Sequence, residues 1–163
     1  MPHDAPPQTR DVPAMLKAAE MSCAQNGTQL TALRRDVLDL ILQAGMPVTA
    51  YQLLDRLKPL RKSAVPPTIY RTLEFLLENK LIHKIERLNA FVPCAEADHD
   101  HADAQFLICK SCGGVTEIED HAVSEALAKA AARHGFTTCR AVVEVDGFCA
   151  ACAAKAREPA SPV

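Results

Sequence analysis

The sequence predicts an α+β chain in two parts, and three observations carry that expectation. Four segments of helical periodicity follow one another before residue 80, two short apolar runs then close that half as a hairpin, and two Cys-x-x-Cys pairs bracket a mixed strand and helix segment in the second half. With 163 residues and 48% hydrophobic content, the chain can bury one good core or two small ones.

Asp11 can cap a first helix over roughly 12–26, with Pro13 in its first turn and Gly27 after its end. Thr31 opens a second, where Leu33, Val37, Leu40 and Ile41 recur at helical spacing until Gly45 stops the pattern. Thr49 caps a short third helix, Ala50 to Lys58, which Pro59 ends. A loop rich in Lys and Pro leads through Pro66 and Pro67 into a fourth helix, 67–79. Ile69, Leu73, Leu76 and Leu77 line its apolar face; at about 100° per residue Arg71 projects nearly opposite and Tyr70 to the flank. Leu81 to Glu86 and Ala90 to Pro93, separated by Arg87, Leu88 and Asn89, read as a β-hairpin wing. Three helices, a further helix with an exposed basic first turn and a hairpin make a winged helix-turn-helix domain over 11–93, whose fourth helix is built to enter a DNA major groove. Residues 1–10 read as a disordered leader.

Residues 94–104 are polar, acidic and rich in histidine, the composition of a hinge or loop. Beyond it Gln105 to Cys109 and Val115 to Glu119 read as strands, 120–134 as an alanine-rich helix ending at Gly135, and Thr137 to Val145 as a third strand. This α/β domain spans 105–155, and 156–163 reads as a flexible tail. Cys23 on the first helix and Cys139 on the last strand read as packed thiols, His121 as a helix cap and His134 as a partner for the helix dipole.

Cys109, Cys112, Cys149 and Cys152 can close a tetrahedral zinc shell of four thiolates, a structural site. Gly113 and Gly114 follow the first pair and Gly147 precedes the second, so each can turn sharply around an ion. The competing readings are a thioredoxin-type dithiol or two disulfides; neither pair opens an evident helix, where a reactive thiolate would be stabilised. The N-terminus lacks a basic flank followed by an apolar stretch, and no apolar run approaches the ~20 residues that span a bilayer. A cytoplasmic protein with reduced thiols is expected.

Charge divides along the chain. Residues 15–90 hold eleven Lys and Arg against seven Asp and Glu, whereas residues 91–163 hold six against eleven. A basic first half suits double-stranded DNA and an acidic second half suits divalent cations. Arg71 can donate two hydrogen bonds to guanine O6 and N7. Tyr70 and Tyr51 suit a phosphate or a thymine methyl, or else are half-buried aromatics, and Lys62 and Arg61 suit phosphates. No nucleophile or open metal position stands beside a substrate pocket, so neither an enzyme nor a small-molecule substrate is expected.

The string Pro67-Thr68-Ile69-Tyr70-Arg71-Thr72-Leu73, followed by Cys109-x-x-Cys112-Gly113, Arg133-His134-Gly135-Phe136 and Cys149-x-x-Cys152, resembles the ferric uptake regulator family, and within it the zinc-sensing branch. The similarity runs over about residues 15–152. It implies a metal-dependent repressor that binds an AT-rich palindromic operator through the winged helix, with Thr68 joining the DNA-contacting set, and that forms a homodimer through the C-terminal domain. It also implies two zinc ions per chain, one structural and one regulatory. The regulatory ligands carried over by the resemblance are His83, Cys94, Glu117 and a loop histidine, His101, with His99 as the alternative. On residue chemistry alone Cys94 reads equally as a buried small hydrophobe and Glu117 as a surface strand residue. Met46 and Ala141 stand where iron-sensing relatives carry histidines, which argues against a third site. A thiolate at Cys94 moves the shell from the N,O set suited to Fe(II) or Mn(II) toward zinc. The alternatives are an iron, manganese or peroxide sensor of the same family, a zinc-containing redox enzyme, or a winged helix that binds protein.

Overall fold

The computed structural model describes residues 11–94 and 103–157, which fall into two units. The predicted leader, most of the predicted hinge and residues 158–163 lie outside the described residues.

Local capping chemistry sets the helices of the first unit. In α1 (Val12–Gln25) the Asp11 carboxylate accepts from the Ala14 N–H, and Pro13 occupies the first turn, where no N–H is needed. Thr31 opens α2 (Ala32–Ala44), and Gly45, at φ +66°, closes it in the left-handed conformation that glycine takes without strain. After β1 (Val48–Thr49) comes α3 (Ala50–Leu57), started by a capping box: the Gln52 N–H donates to the Thr49 hydroxyl and the Thr49 N–H donates to Gln52 Oε1 at 2.9 Å. Prolines 66 and 67 fill the first turn of α4 (Pro66–Glu78), which has no side-chain cap.

These helices turn their apolar stripes inward. Val37, Ile41, Leu53, Leu57, Ile69, Leu73 and Leu76 form a core with Leu16, Ala19 and Cys23 of α1. Thr72 and Phe75 join the buried face of α4, whereas Leu77 is only partly buried. The hairpin of β2 (Ile82–Ile85) and β3 (Ala90–Pro93) completes the unit, pairing Ile82 with Pro93 and Ile85 with Ala90. The short β1, not anticipated, adds to the outer side of β3 through Val48 and Phe91, giving the antiparallel order β1-β3-β2. Two residues carry no alternation of their own, and only the partner strand makes them one.

The second unit is a three-stranded sheet in the order β5-β4-β6. The central β4 (Asp103–Cys109) runs antiparallel to β5 (Val115–Ile118) and parallel to β6 (Ala141–Gly147), with α5 (His121–Arg133) on the crossover. Buried Gln105 ties α5 to the sheet, its Nε2 donating to the Asp120 carbonyl at 2.8 Å and to Ser124 Oγ at 3.1 Å. A final helix, α6 (Ala150–Arg157), follows. No described helix is long and apolar enough to cross a membrane.

Three expectations are corrected here. The last strand begins at Ala141 rather than Thr137, because its bounds are set by the parallel ladder from Asp103 and Ala141 to Cys109 and Gly147. Cys139 therefore lies exposed in a bend before the strand and is not a packed thiol. Asp120, not His121, caps α5: its carboxylate accepts from the Ala122 and Val123 N–H groups, and His121 is the first helical residue.

Candidate metal centre and nucleic-acid interface

The four cysteines of the two pairs converge. Cys109 closes β4, Cys112 stands on the turn to β5, and Cys149 and Cys152 lie at the start of α6, with all four sulfurs within 4.8 Å of one another. The Cys112 and Cys149 sulfurs are 3.9 Å apart. A tetrahedron with Zn–S bonds of about 2.3 Å has edges of about 3.8 Å, so this donor set fits a zinc ion with little movement. Backbone geometry fixes the first knuckle: the Gly113 N–H donates to the Cys109 carbonyl and the Cys109 N–H to the Gly114 carbonyl, both at 2.9 Å. Gly113 adopts φ +73°, and a Cβ on Gly114 would meet Cys112 Sγ at 3.3 Å, so both glycines make room for the sulfur.

Electrostatics point the same way. Cys109 is lowered to about 6, first by the Cys112 N–H and then by the Cys149 N–H, which donates to its sulfur at 3.3 Å. A hydrogen bond with Ser111 works to lower Cys152, but neighbouring Cys149 and burial outweigh it and the thiol is raised to about 11. Sulfurs this close cannot all ionise unaided, and a dication is the group that lets them.

The expectation that neither pair opens a helix fails. Cys149 stands immediately before α6, its carbonyl accepting from the Ala153 N–H at 2.9 Å, and Cys152 lies in the first turn. The segment from Ala150 to Ala154 is nearly all alanine, a strong helix former that leaves no apolar stripe to recognise. Helix placement thus no longer speaks against a redox dithiol; the convergence of four sulfurs does.

Of the regulatory candidates, His83 and Cys94 belong to the first unit. His83 sits on β2, and Cys94 extends the hairpin ladder by donating its N–H to the Leu81 carbonyl at 3.1 Å. The pairing of His83 with Val92 puts His83 and Cys94 diagonally on one face, and both are buried, with a His83 ring nitrogen and the Cys94 sulfur within 4.8 Å. Cys94 also borders an apolar cavity of about 150 Å³ lined by Met15, Leu38, Leu42 and Leu81, so it packs as well as offering a ligand. Glu117 lies half-buried on β5, opposite Phe106. His99 and His101 lie outside the described residues.

On α4, Tyr70 and Arg71 are exposed, and Thr68 is half-buried with its carbonyl accepting the Thr72 hydroxyl at 2.8 Å. Tyr51, at the start of α3, is 76% exposed and Tyr70 51%, which decides against the half-buried aromatic reading. Lys62 is exposed. Arg61, expected to serve a phosphate, is instead engaged by Asp36 of α2, with Nε 2.6 Å from Oδ2. The sequence reading overlooked Glu74 and Glu78, which share the exposed face of α4 with Arg71; their spacing of three and seven residues from it was the available signal.

The model of the ferric uptake regulator family matches residues 25–146. The chain belongs to the ferric uptake regulator family. The zinc uptake regulation protein of Escherichia coli (strain K12) is 39% identical over 138 residues, which cover 85% of this chain and 81% of that protein. Among solved structures, a zinc uptake regulator complexed with zinc and DNA matches with a TM-score of 0.86 at 36% identity, covering 91% of this chain and 99% of that one. Holo XcZur matches with a TM-score of 0.80 at 42% identity, covering 86% and 98%. Membership of the ferric uptake regulator family makes the chain a regulator and not an enzyme.

Proposed function

We propose that this chain is a cytoplasmic zinc sensor that, when zinc-loaded, binds an AT-rich palindromic operator as a homodimer and represses zinc-uptake genes. One observation carries the reading: a chain 36% identical to a zinc regulator solved with zinc and DNA joins a four-sulfur cluster to a helix that exposes Tyr70 and Arg71. Cys109, Cys112, Cys149 and Cys152 hold a structural zinc. His83, Cys94, Glu117 and His101, or His99 in its place, hold a second, regulatory one. Zinc supplies a cross-link between ligands at both sites and no redox chemistry.

A regulatory shell drawn from both units is complete in only one relative orientation of them, so loading selects the DNA-competent state. Moving that equilibrium from 1:99 to 99:1 requires a preference of about 5.5 kcal/mol. Structural zinc sites reach apparent binding energies above ~10 kcal/mol, so a site with a single thiolate can supply it and still exchange. In the groove Arg71 pairs with a guanine, Tyr51, Tyr70 and Thr68 meet phosphates or a thymine methyl, and Lys62 adds a phosphate contact. The homodimer is supported by Leu107 and Val145, apolar side chains paired across β4 and β6 and exposed on one face of the sheet of the second unit. Two-fold symmetry then accounts for a palindromic site. The thiol at Cys94 disfavours an iron, manganese or peroxide sensor, whose shell would be N,O only.

Operator titration at buffered free zinc tests this reading. Wild type is expected to bind only above a threshold of free zinc, and Cys94→Ser to lose that response while keeping one zinc and its fold. Full zinc-responsive binding by Cys94→Ser would overturn the regulatory site.

A further inference from the structure

The four sulfurs of the metal centre are not equivalent. Cys109 is buried and Cys152 half-buried, whereas Cys112 and Cys149 are exposed, and these two sulfurs are 3.9 Å apart. They come from different knuckles, one on the turn after β4 and one at the start of α6. A disulfide needs a sulfur separation of about 2.05 Å, so closure requires an approach of somewhat under 2 Å. Both side chains are exposed, so rotation about their own side-chain bonds is open to each.

We propose that Cys112 and Cys149 form a hydroperoxide-reactive pair whose oxidation to an inter-knuckle disulfide releases the structural zinc. The inference rests on the four-thiolate zinc reading. One exposed sulfur attacks the outer oxygen of hydrogen peroxide, the O–O bond breaks, and the departing hydroxide takes a proton from solvent to become water. The second sulfur then attacks the resulting sulfenic acid and displaces hydroxide, which is protonated likewise. The two sulfurs together lose two electrons, the peroxide gains them, and two solvent protons complete two waters. Cys109 and Cys152 remain as thiols, too few to hold a tetrahedral ion.

Zinc-loaded full-length protein is treated with hydrogen peroxide, and zinc release is followed with a chromogenic indicator alongside thiol counting and disulfide mapping of proteolytic peptides. The expected first product has lost two thiols and one zinc ion per chain, links the peptides that carry Cys112 and Cys149, and reverts with dithiothreitol and added zinc. Cys139→Ser, which removes the other exposed thiol of this unit, is expected to release zinc at a rate within about twofold of wild type. A disulfide within either knuckle, one involving Cys139, or thiol loss with the structural zinc retained would overturn the proposal. A chain that carries no zinc before oxidation would overturn the four-thiolate reading itself, and this inference with it.

Discussion

Helices α2 and α5 each have thirteen residues, yet α2 buries Val37, Leu38, Ile41 and Leu42 while α5 buries none. The difference extends to the units around them. In the first, Cys23 on α1 is one more fully buried apolar group in a core shared by four helices and a hairpin. In the second, the buried apolar set among the described residues reduces to Ala104, Phe106, Ile108 and Cys109 of β4, and three further cysteines gather with Cys109 into one cluster. Apolar burial contributes about 25 cal/mol per Å², and α5, rich in alanine, has little area to bury. One unit is held by its interior; the other, on the function proposed above, is held by the metal its four cysteines bind.

The strongest way to break this contrast is to remove a sulfur. Cys149→Ser is expected to lower zinc content by one ion per chain and to unfold the second unit, since structural zinc can contribute on the order of 10 kcal/mol of folding energy, while the helical unit stays folded. Metal analysis with hydrogen exchange resolved along the sequence reads both halves of that outcome. Acid should act on the same target. The thiolate favoured at Cys109 is lost as pH falls through about 6, and Cys152, raised to about 11, is the thiol whose proton zinc must displace at neutral pH. Zinc retention should therefore decline on acidification and zinc uptake by the metal-free chain should release protons, both measurable by titration.

Ile41→Ala is the converse experiment. It should cost the first unit about 2 to 5 kcal/mol, through lost transfer energy and a cavity, and leave zinc content unchanged. Equal destabilisation of both units on denaturation would erase the distinction. Arg71→Ala should leave both units intact but cost about 1 to 3 kcal/mol on the specific operator, whereas Lys62→Ala should weaken all DNA alike and flatten the salt dependence. Equal losses on specific and random duplexes for Arg71→Ala would make it a phosphate contact only. The smallest effect is expected at Thr49→Ala, which removes one side of the α3 capping box and should cost about 1 kcal/mol in the first unit alone, visible as a shift in its denaturation midpoint.

What could be read from the sequence was chemistry that acts over a few residues. Asp11, Thr31, Gly45 and Thr49 mark helix ends because a side chain or a left-handed glycine satisfies backbone groups within one turn. The sulfur cluster was legible because so few chemistries use two such pairs. What escaped depended on distant partners. The strand β1 exists only through β3, the start of β6 only through β4, and the engagement of Arg61 depends on Asp36, twenty-five residues earlier. Helix α6 escaped for another reason, since an alanine run has no periodicity to detect.

The parallel pairing of β4 with β6 has a consequence for how this site can vary over time. Cys109 ends one strand directly beside Gly147 at the end of the other, and the Lys110 N–H donates to the Gly147 carbonyl at 2.9 Å. The two knuckles are therefore neighbours because adjacent strand ends are neighbours, whatever length of chain makes the return trip through β5 and α5. Insertions or deletions in the connection between α5 and β6 can accumulate as outward excursions without moving a single sulfur. The interval between the cysteine pairs is free to drift among descendants of such a chain, while the dipeptide inside each pair is not.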